Sequence, residues 1–124
     1  MPDPRRKFGD SGEELASKFL KGRGFVVVEK NVRTAFGEID LVCRRGTEWI
    51  FVEVKTREDR QYGYPEESIT SQKFLHMARS AESYLQIHAL EHVSWRLDVV
   101  AIRVAGGNDP EILHFEGVEG PHGR

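Results

Sequence analysis

The 124 residues contain a single cysteine, Cys43, so no disulfide can form within the chain. That usage fits a reducing, cytoplasmic setting. There is no Cys/His cluster at zinc spacing. No apolar run approaches the roughly 20 residues that a membrane helix needs. The first residues, Met1-Pro2-Asp3-Pro4-Arg5-Arg6-Lys7, carry charge with no apolar segment behind them, which argues against a secretory signal. Neither sign of charge is in large excess: the net charge is -2. That argues against a chain that coats nucleic acid by bulk electrostatics, while leaving local contacts open. Internal repeats, low-complexity blocks and domain linkers are also absent. What is present is 39% hydrophobic and 31% charged residues. This is the balance of a folded chain, read as one domain spanning 1–124 with flexible ends at 1–9 and 118–124.

Residues 37–57 hold the most information. Two apolar-rich runs flank Arg45-Gly46-Thr47-Glu48, a short polar break with a glycine, which predicts a hairpin. The second run is apolar on both faces, as in a buried strand, yet ends in Glu53-Val54-Lys55. Charges there are costly unless paired or metal-bound. Side chains alternate along a strand, so Glu53 and Lys55 share a face. A hairpin symmetric about Gly46-Thr47 sets Asp40 opposite Glu53 and Glu38 opposite Lys55. Opposed carboxylates repel unless a cation or proton lies between them. A hard ion such as Mg²⁺ (or Mn²⁺) takes such oxygen ligands and leaves room for water and phosphate. Exposed ion pairs at strand ends are the other reading of these residues.

Elsewhere, Ser11 to Arg23 reads as a helix, with Ser11 as N-cap and Glu14 completing a capping box. Phe25 to Val28 reads as a strand that continues weakly to Val32. Residues 57–67 read as a polar loop in which Tyr62 and Tyr64 lie near Arg57 and Arg60. These aromatics either stack on bases or pack the loop onto the body. A second helix is predicted from Thr70 to Ala89. Lys73 in its first turn runs against the helix dipole, and a nearby phosphate would account for it. Ser94 to Val104 and Glu111 to Val118 read as further strands. Asp98, an acid inside an apolar strand, requires a partner, for which an Arg or a backbone donor is preferred to a metal. Helix, three strands, helix, two strands predicts an α/β fold with a mixed sheet of about five strands flanked by helices.

Phe36-Gly37-Glu38-Ile39-Asp40-Leu41-Val42, Phe51-Val52-Glu53-Val54-Lys55-Thr56-Arg57 and Arg96-Leu97-Asp98-Val99-Val100 together resemble the YraN-like family of small bacterial proteins. That family is similar to the archaeal Holliday junction resolvases and, by resemblance, to the PD-(D/E)xK, restriction-endonuclease-like nucleases. The resemblance runs from Gly9 to about Ile102. It departs at Leu97, where the family often has an aromatic. It implies a restriction-endonuclease-like fold, Asp40 and Glu53 as metal ligands, and Lys55 as catalytic lysine. It also implies that Glu14 reaches the same site, beside its reading as a capping residue. Glu38 belongs to the motif without an assigned role. Junction-cutting relatives act as dimers, so a homodimer is implied as well.

These readings converge on a metal-dependent endonuclease that hydrolyses DNA phosphodiester bonds, on branched or damaged structures. Asp40 and Glu53 hold Mg²⁺ or Mn²⁺, Lys55 aids the attacking water, Glu14 supports, and Lys73, Arg57 and Arg45 contact phosphates. Two alternatives stand beside it: a non-catalytic nucleic-acid-binding module on a nuclease fold, and an interaction protein whose acids are surface charge.

Overall fold

A computed structural model describes residues 4–57, 70–104 and 109–118. The elements in chain order are α1 (Pro4–Gly22), β1 (Val26–Thr34), β2 (Gly37–Arg45), β3 (Glu48–Arg57), α2 (Ser71–Ile87), β4 (Trp95–Arg103) and β5 (Glu111–Phe115). The five strands lie in chain order in one sheet. Only β3 and β4 run parallel, and the other pairs are antiparallel. The expected five-stranded mixed α/β sheet is therefore what forms. A parallel pair requires a crossover, and the segment between β3 and β4 that contains α2 provides it. No helix among the described residues is long and apolar enough to cross a membrane.

The strand alternation sorts apolar residues onto two faces. Leu41, Cys43, Ile50, Val52, Val100 and Ile102 pack with Ala16 and Leu20 of α1. Val42, Phe51 and Leu97 pack with Phe74, Ala78, Ala81, Tyr84 and Leu85 of α2. Each helix thus covers one face of the sheet. Cys43 is fully buried, and burial pushes its thiol up to about 12, so it is an inert core group.

Three expectations about the elements change. α1 begins at Pro4, seven residues before Ser11, so Ser11 lies inside the helix and is not at its N-cap position. Proline suits the first helical position because its fixed φ matches the helix and its missing N–H would be unpaired there anyway. β1 is a full nine-residue strand to Thr34, kinked by a register shift between Val27 and Glu29. Residues 116–118 are tied down: the Val118 amide donates to Leu97 O and the Gly117 amide to Asp98 Oδ1. The loop with Arg60, Tyr62 and Tyr64, the 106–108 turn residues, and residues 1–3 and 119–124 lie outside the described residues.

At the end of the sheet where β4 starts, the buried acid is matched by hydrogen-bond donors. Asp98 is completely buried. Arg96 grips it through Nε and Nη2 at 3.0 and 3.2 Å, and His114 Nε2 lies 2.8 Å from Oδ2. Arg96 also reaches Glu48 at 3.0 Å and Glu116 at 3.1 Å. Burial pushes the Asp98 carboxyl up, but the bonds from His114, Arg96 and Gly117 outweigh it and hold the group below its ordinary value. The Arg and the backbone donor expected for Asp98 are both there, with His114 added. His114 packs edge-on against Phe19 and Phe25. Replacing Asp98 by Ala leaves Arg96 half-buried with its principal partner gone. The expected loss is about 3–5 kcal/mol of unfolding free energy, measured by urea denaturation. A loss within experimental error would show that the network stabilises nothing.

Candidate metal centre

The opposite end of the sheet has the reverse balance. The hairpin pairs as predicted, with Leu41↔Val52, Cys43↔Ile50 and Arg45↔Glu48 in one unbroken register. That register points Asp40 at Glu53, but regular pairing stops at Leu41. There the Asp40 side chain takes over, and Oδ2 accepts the Val54 amide at 2.7 Å. β2 also breaks its own alternation at this point. Ile39 joins the cluster beneath α2 while Leu41 joins the one beneath α1, although residues two apart on a strand normally share a face. On the other side, β1 pairs Lys30 with Leu41 and Val32 with Ile39. Between them Asn31 takes a left-handed φ of 52°, which Asn tolerates better than most residues. Asp40 therefore sits at a local twist, with one oxygen committed to a backbone donor.

Around it gather three more acids. Carboxylate oxygens of Glu13, Glu38 and Asp40 all lie within 4.8 Å of one another. Glu53 adds its charge from β3. Burial first, then Glu53, pushes the Asp40 carboxyl up to about 7; the Val54 amide opposes this, and Glu13 and Glu38 add to it. Glu53 faces α2, where its Oε1 is 3.5 Å from Lys55 Nζ and 3.4 Å from Lys73 Nζ. The expected dipole conflict at Lys73 thus has a partner in the protein itself. The α2 amino terminus is capped by Thr70, whose hydroxyl accepts the Lys73 amide at 3.1 Å.

The α1 carboxylate in the cluster is Glu13; Glu14 is exposed to solvent. The helix explains the switch. Ala16 and Leu20 are its fully buried residues. Glu13 lies three residues before Ala16 and seven before Leu20, on the same stripe, whereas Glu14 aligns with exposed Lys18 and Lys21. That stripe is the signal in the sequence that points to Glu13. Gly12 brings the stripe close: a Cβ there would collide with Thr56 Oγ1 on β3. Glu38, given no role from the sequence, is the third member of the cluster.

Arg45 is not brought to this end. It lies five residues from Asp40 along β2, about 17 Å at a strand's rise. Its guanidinium sits 4.6 Å over the Phe25 ring and 3.7 Å from Glu116. Arg57 is half-buried at the end of β3, two residues past Lys55, and its carbonyl accepts the Val104 amide at 2.8 Å.

The donor set suits a hard divalent ion. It is all oxygen, and two oxygens across a six-coordinate Mg²⁺ are about 4.2 Å apart, within the spread seen here. An acid forced towards neutrality by other acids is also what a cation would relieve. A second grouping of Asp98, His114 and Glu116 also falls within ligand distance. Arg96 already occupies Asp98 and Glu116 there, so its positive charge repels a cation.

In architecture this is a mixed α/β domain with an acidic, lysine-flanked centre at the end of its sheet, to which α1 contributes Glu13 and α2 contributes Lys73. Residues 12–102 match the uncharacterised protein family UPF0102, and the chain belongs to that family. This bears out the YraN-like resemblance. A UPF0102 protein of Dehalococcoides mccartyi is 44% identical over 98 residues, covering 79% of this chain and 81% of its own. One of Syntrophotalea carbinolica is 38% identical over 117 residues, covering 94% of each. A solved structure of Pyrococcus furiosus SfsA in complex with Ca²⁺ is similar at a TM-score of 0.41 and 13% identity. The likeness covers 90% of this chain and 63% of that one, and at that score it says nothing of shared chemistry.

The charge conflict has a measurable consequence. Asp40 binds its proton more tightly when folded (about 7) than the ordinary 3.8. Its contribution to stability is therefore favourable below pH 3.8 and is lost as pH rises through about 7. Asn keeps an acceptor for the Val54 amide and removes the charge. In EDTA, Asp40→Asn is expected to exceed wild type in stability by on the order of 2–4 kcal/mol at pH 8, with the gain vanishing towards pH 4. Thermal melts across that range check it. An equal difference at both ends would show that charge is not its source.

Proposed function

We propose that the protein is a metal-dependent endonuclease that hydrolyses DNA phosphodiester bonds, with branched or damaged DNA as its substrate class. The observation that carries this reading is the gathering of Glu13, Glu38 and Asp40 within ligand distance of one another, with Glu53 and Lys55 beside them. Glu13, Glu38 and Asp40 would hold Mg²⁺ or Mn²⁺, with Glu53 adjoining. When bound, the ion supplies a positive charge for the scissile phosphate and lowers the pKa of a bound water.

The chain's own groups do the rest. The Val54 amide holds Asp40 through Oδ2, within the cluster. Lys55, held by Glu53, offers an ammonium to orient the attacking water and to offset charge building on the phosphoryl oxygens. Water oxygen bonds to phosphorus as the bond to the opposite ester oxygen breaks. The water gives up a proton and the leaving oxygen gains one, so a phosphomonoester and a hydroxyl result. Lys73 supplies a second positive charge on the α2 side of Glu53. Arg57, near the end of the same strand, is an outer phosphate contact. Family membership supports the reading only in general terms, since the relatives carry a family name without an activity.

Labelled linear, flapped and four-way DNAs with Mg²⁺ or Mn²⁺ are the test. Lys55→Ala is expected to lower the cleavage rate at least ~100-fold. Binding that survives both EDTA and Lys55→Ala, with no cleavage of any DNA, would instead make this a binding module on a nuclease fold.

The two acids of α1 separate cleanly. Glu13→Gln should weaken Mn²⁺ binding by roughly tenfold or more by calorimetry, whereas Glu14→Gln should leave it unchanged. The reverse result would place the wrong face of α1 on the metal.

A further inference from the structure

The β1–β2 turn presents an aromatic ring two residues before Glu38 of the acidic cluster. Phe36 is 45% exposed. Isolated exposed apolar residues are ordinary, and Val26 and Ile87 are further instances. Phe36 differs in how it is held. The turn closes between paired Thr34 and Gly37. The Thr34 hydroxyl donates to Gly37 O at 2.8 Å and accepts the Phe36 amide at 3.1 Å. It also lies 3.0 Å from the buried Ser80 hydroxyl, which ties the turn to α2. Gly37 has a φ of 143°, a conformation other residues rarely adopt. An exposed ring on so constrained a turn is a preformed surface.

Its neighbours indicate what that surface meets. Glu38, two residues on and at most about 7 Å away along the backbone, is in the acidic cluster. The Arg79 guanidinium lies 6.0 Å over the Phe36 ring. Arg79, His76 and Lys73 recur every three residues along α2, and Lys73 and Arg79 are about 9 Å apart along its axis. A phosphate at the acidic cluster would therefore have an aromatic face and a second cation one nucleotide away. A base in continuous duplex has both faces covered by its neighbours. Only an unpaired or terminal base offers a face to an aromatic side chain without the cost of unstacking.

We propose that Phe36 is a stacking platform for an unpaired base next to the cleaved phosphate, with Arg79 holding the adjoining phosphate. It selects single-stranded and branched DNA over continuous duplex. This rests on the nuclease reading above and adds a specificity residue to it.

The test is fluorescence anisotropy in Ca²⁺ with a flapped DNA, a single-stranded oligonucleotide and a blunt duplex. Phe36→Ala is expected to weaken flap and single-strand binding by about tenfold and duplex binding by less than about twofold. Phe36→Trp is expected to retain affinity, with indole quenching beyond that of wild type when unpaired DNA is added. Unchanged flap binding by Phe36→Ala overturns the proposal. So does an equal loss on all three DNAs, or rescue of flap binding by Phe36→Leu, which restores apolar area without a ring. If wild type binds and cuts none of these DNAs, the nuclease reading fails. If wild type binds and cuts these DNAs and the Phe36 variants bind them as it does, the stacking inference alone fails.

Discussion

The hydrogen bond from the Val54 amide to Asp40 fixes the geometry on which the rest of the site depends. It continues the joining of β2 to β3 one step beyond the regular ladder, through a side chain in place of a carbonyl. An acid there must be held at a chosen orientation and kept partly dry, and both follow from the same bond. The twist at Asp40, visible as Ile39 and Leu41 parting to opposite faces, gives that carboxylate its view of α1. Without the bond, Asp40 would be free to turn towards water, away from Glu13 and Glu38.

The two ends of the sheet use the same residue types to opposite effect. Around Asp98, burial is answered by Arg96, His114 and a backbone amide, and the acid stays ionised. Around Asp40, burial is answered by one amide and aggravated by three acids, and the carboxyl is pushed up to about 7. A fold that can build the first arrangement has no structural need for the second. The unbalanced end is where local stability has been given up, and such departures concentrate at sites selected for chemistry.

Much of this was legible in the sequence. Gly46-Thr47 fixed the hairpin register, and the register placed Asp40 towards Glu53. The buried run ending in Glu53-Val54-Lys55 marked the site's position. Less legible was anything depending on how a helix lies across the sheet. The site role of Glu14 comes from the family resemblance, and only the lie of α1 on the sheet shows that Glu13 is the carboxylate carried to the cluster. Arg45 was counted as a phosphate contact by its charge, yet strand geometry sends it to the far end. His114 gave no signal at all. A lone histidine in a short strand becomes informative only once tertiary packing sets it against Asp98.

Gly12 has a consequence for how the molecule assembles. By letting α1 touch β3 at Thr56, it brings a fourth carboxylate, from near the start of the chain, onto acids that the hairpin has already gathered. Each ionised group in the hairpin lowers the gain from docking that helix. Seating the helix therefore adds acid-acid repulsion at this point, and a bound cation would act as the keystone that relieves it.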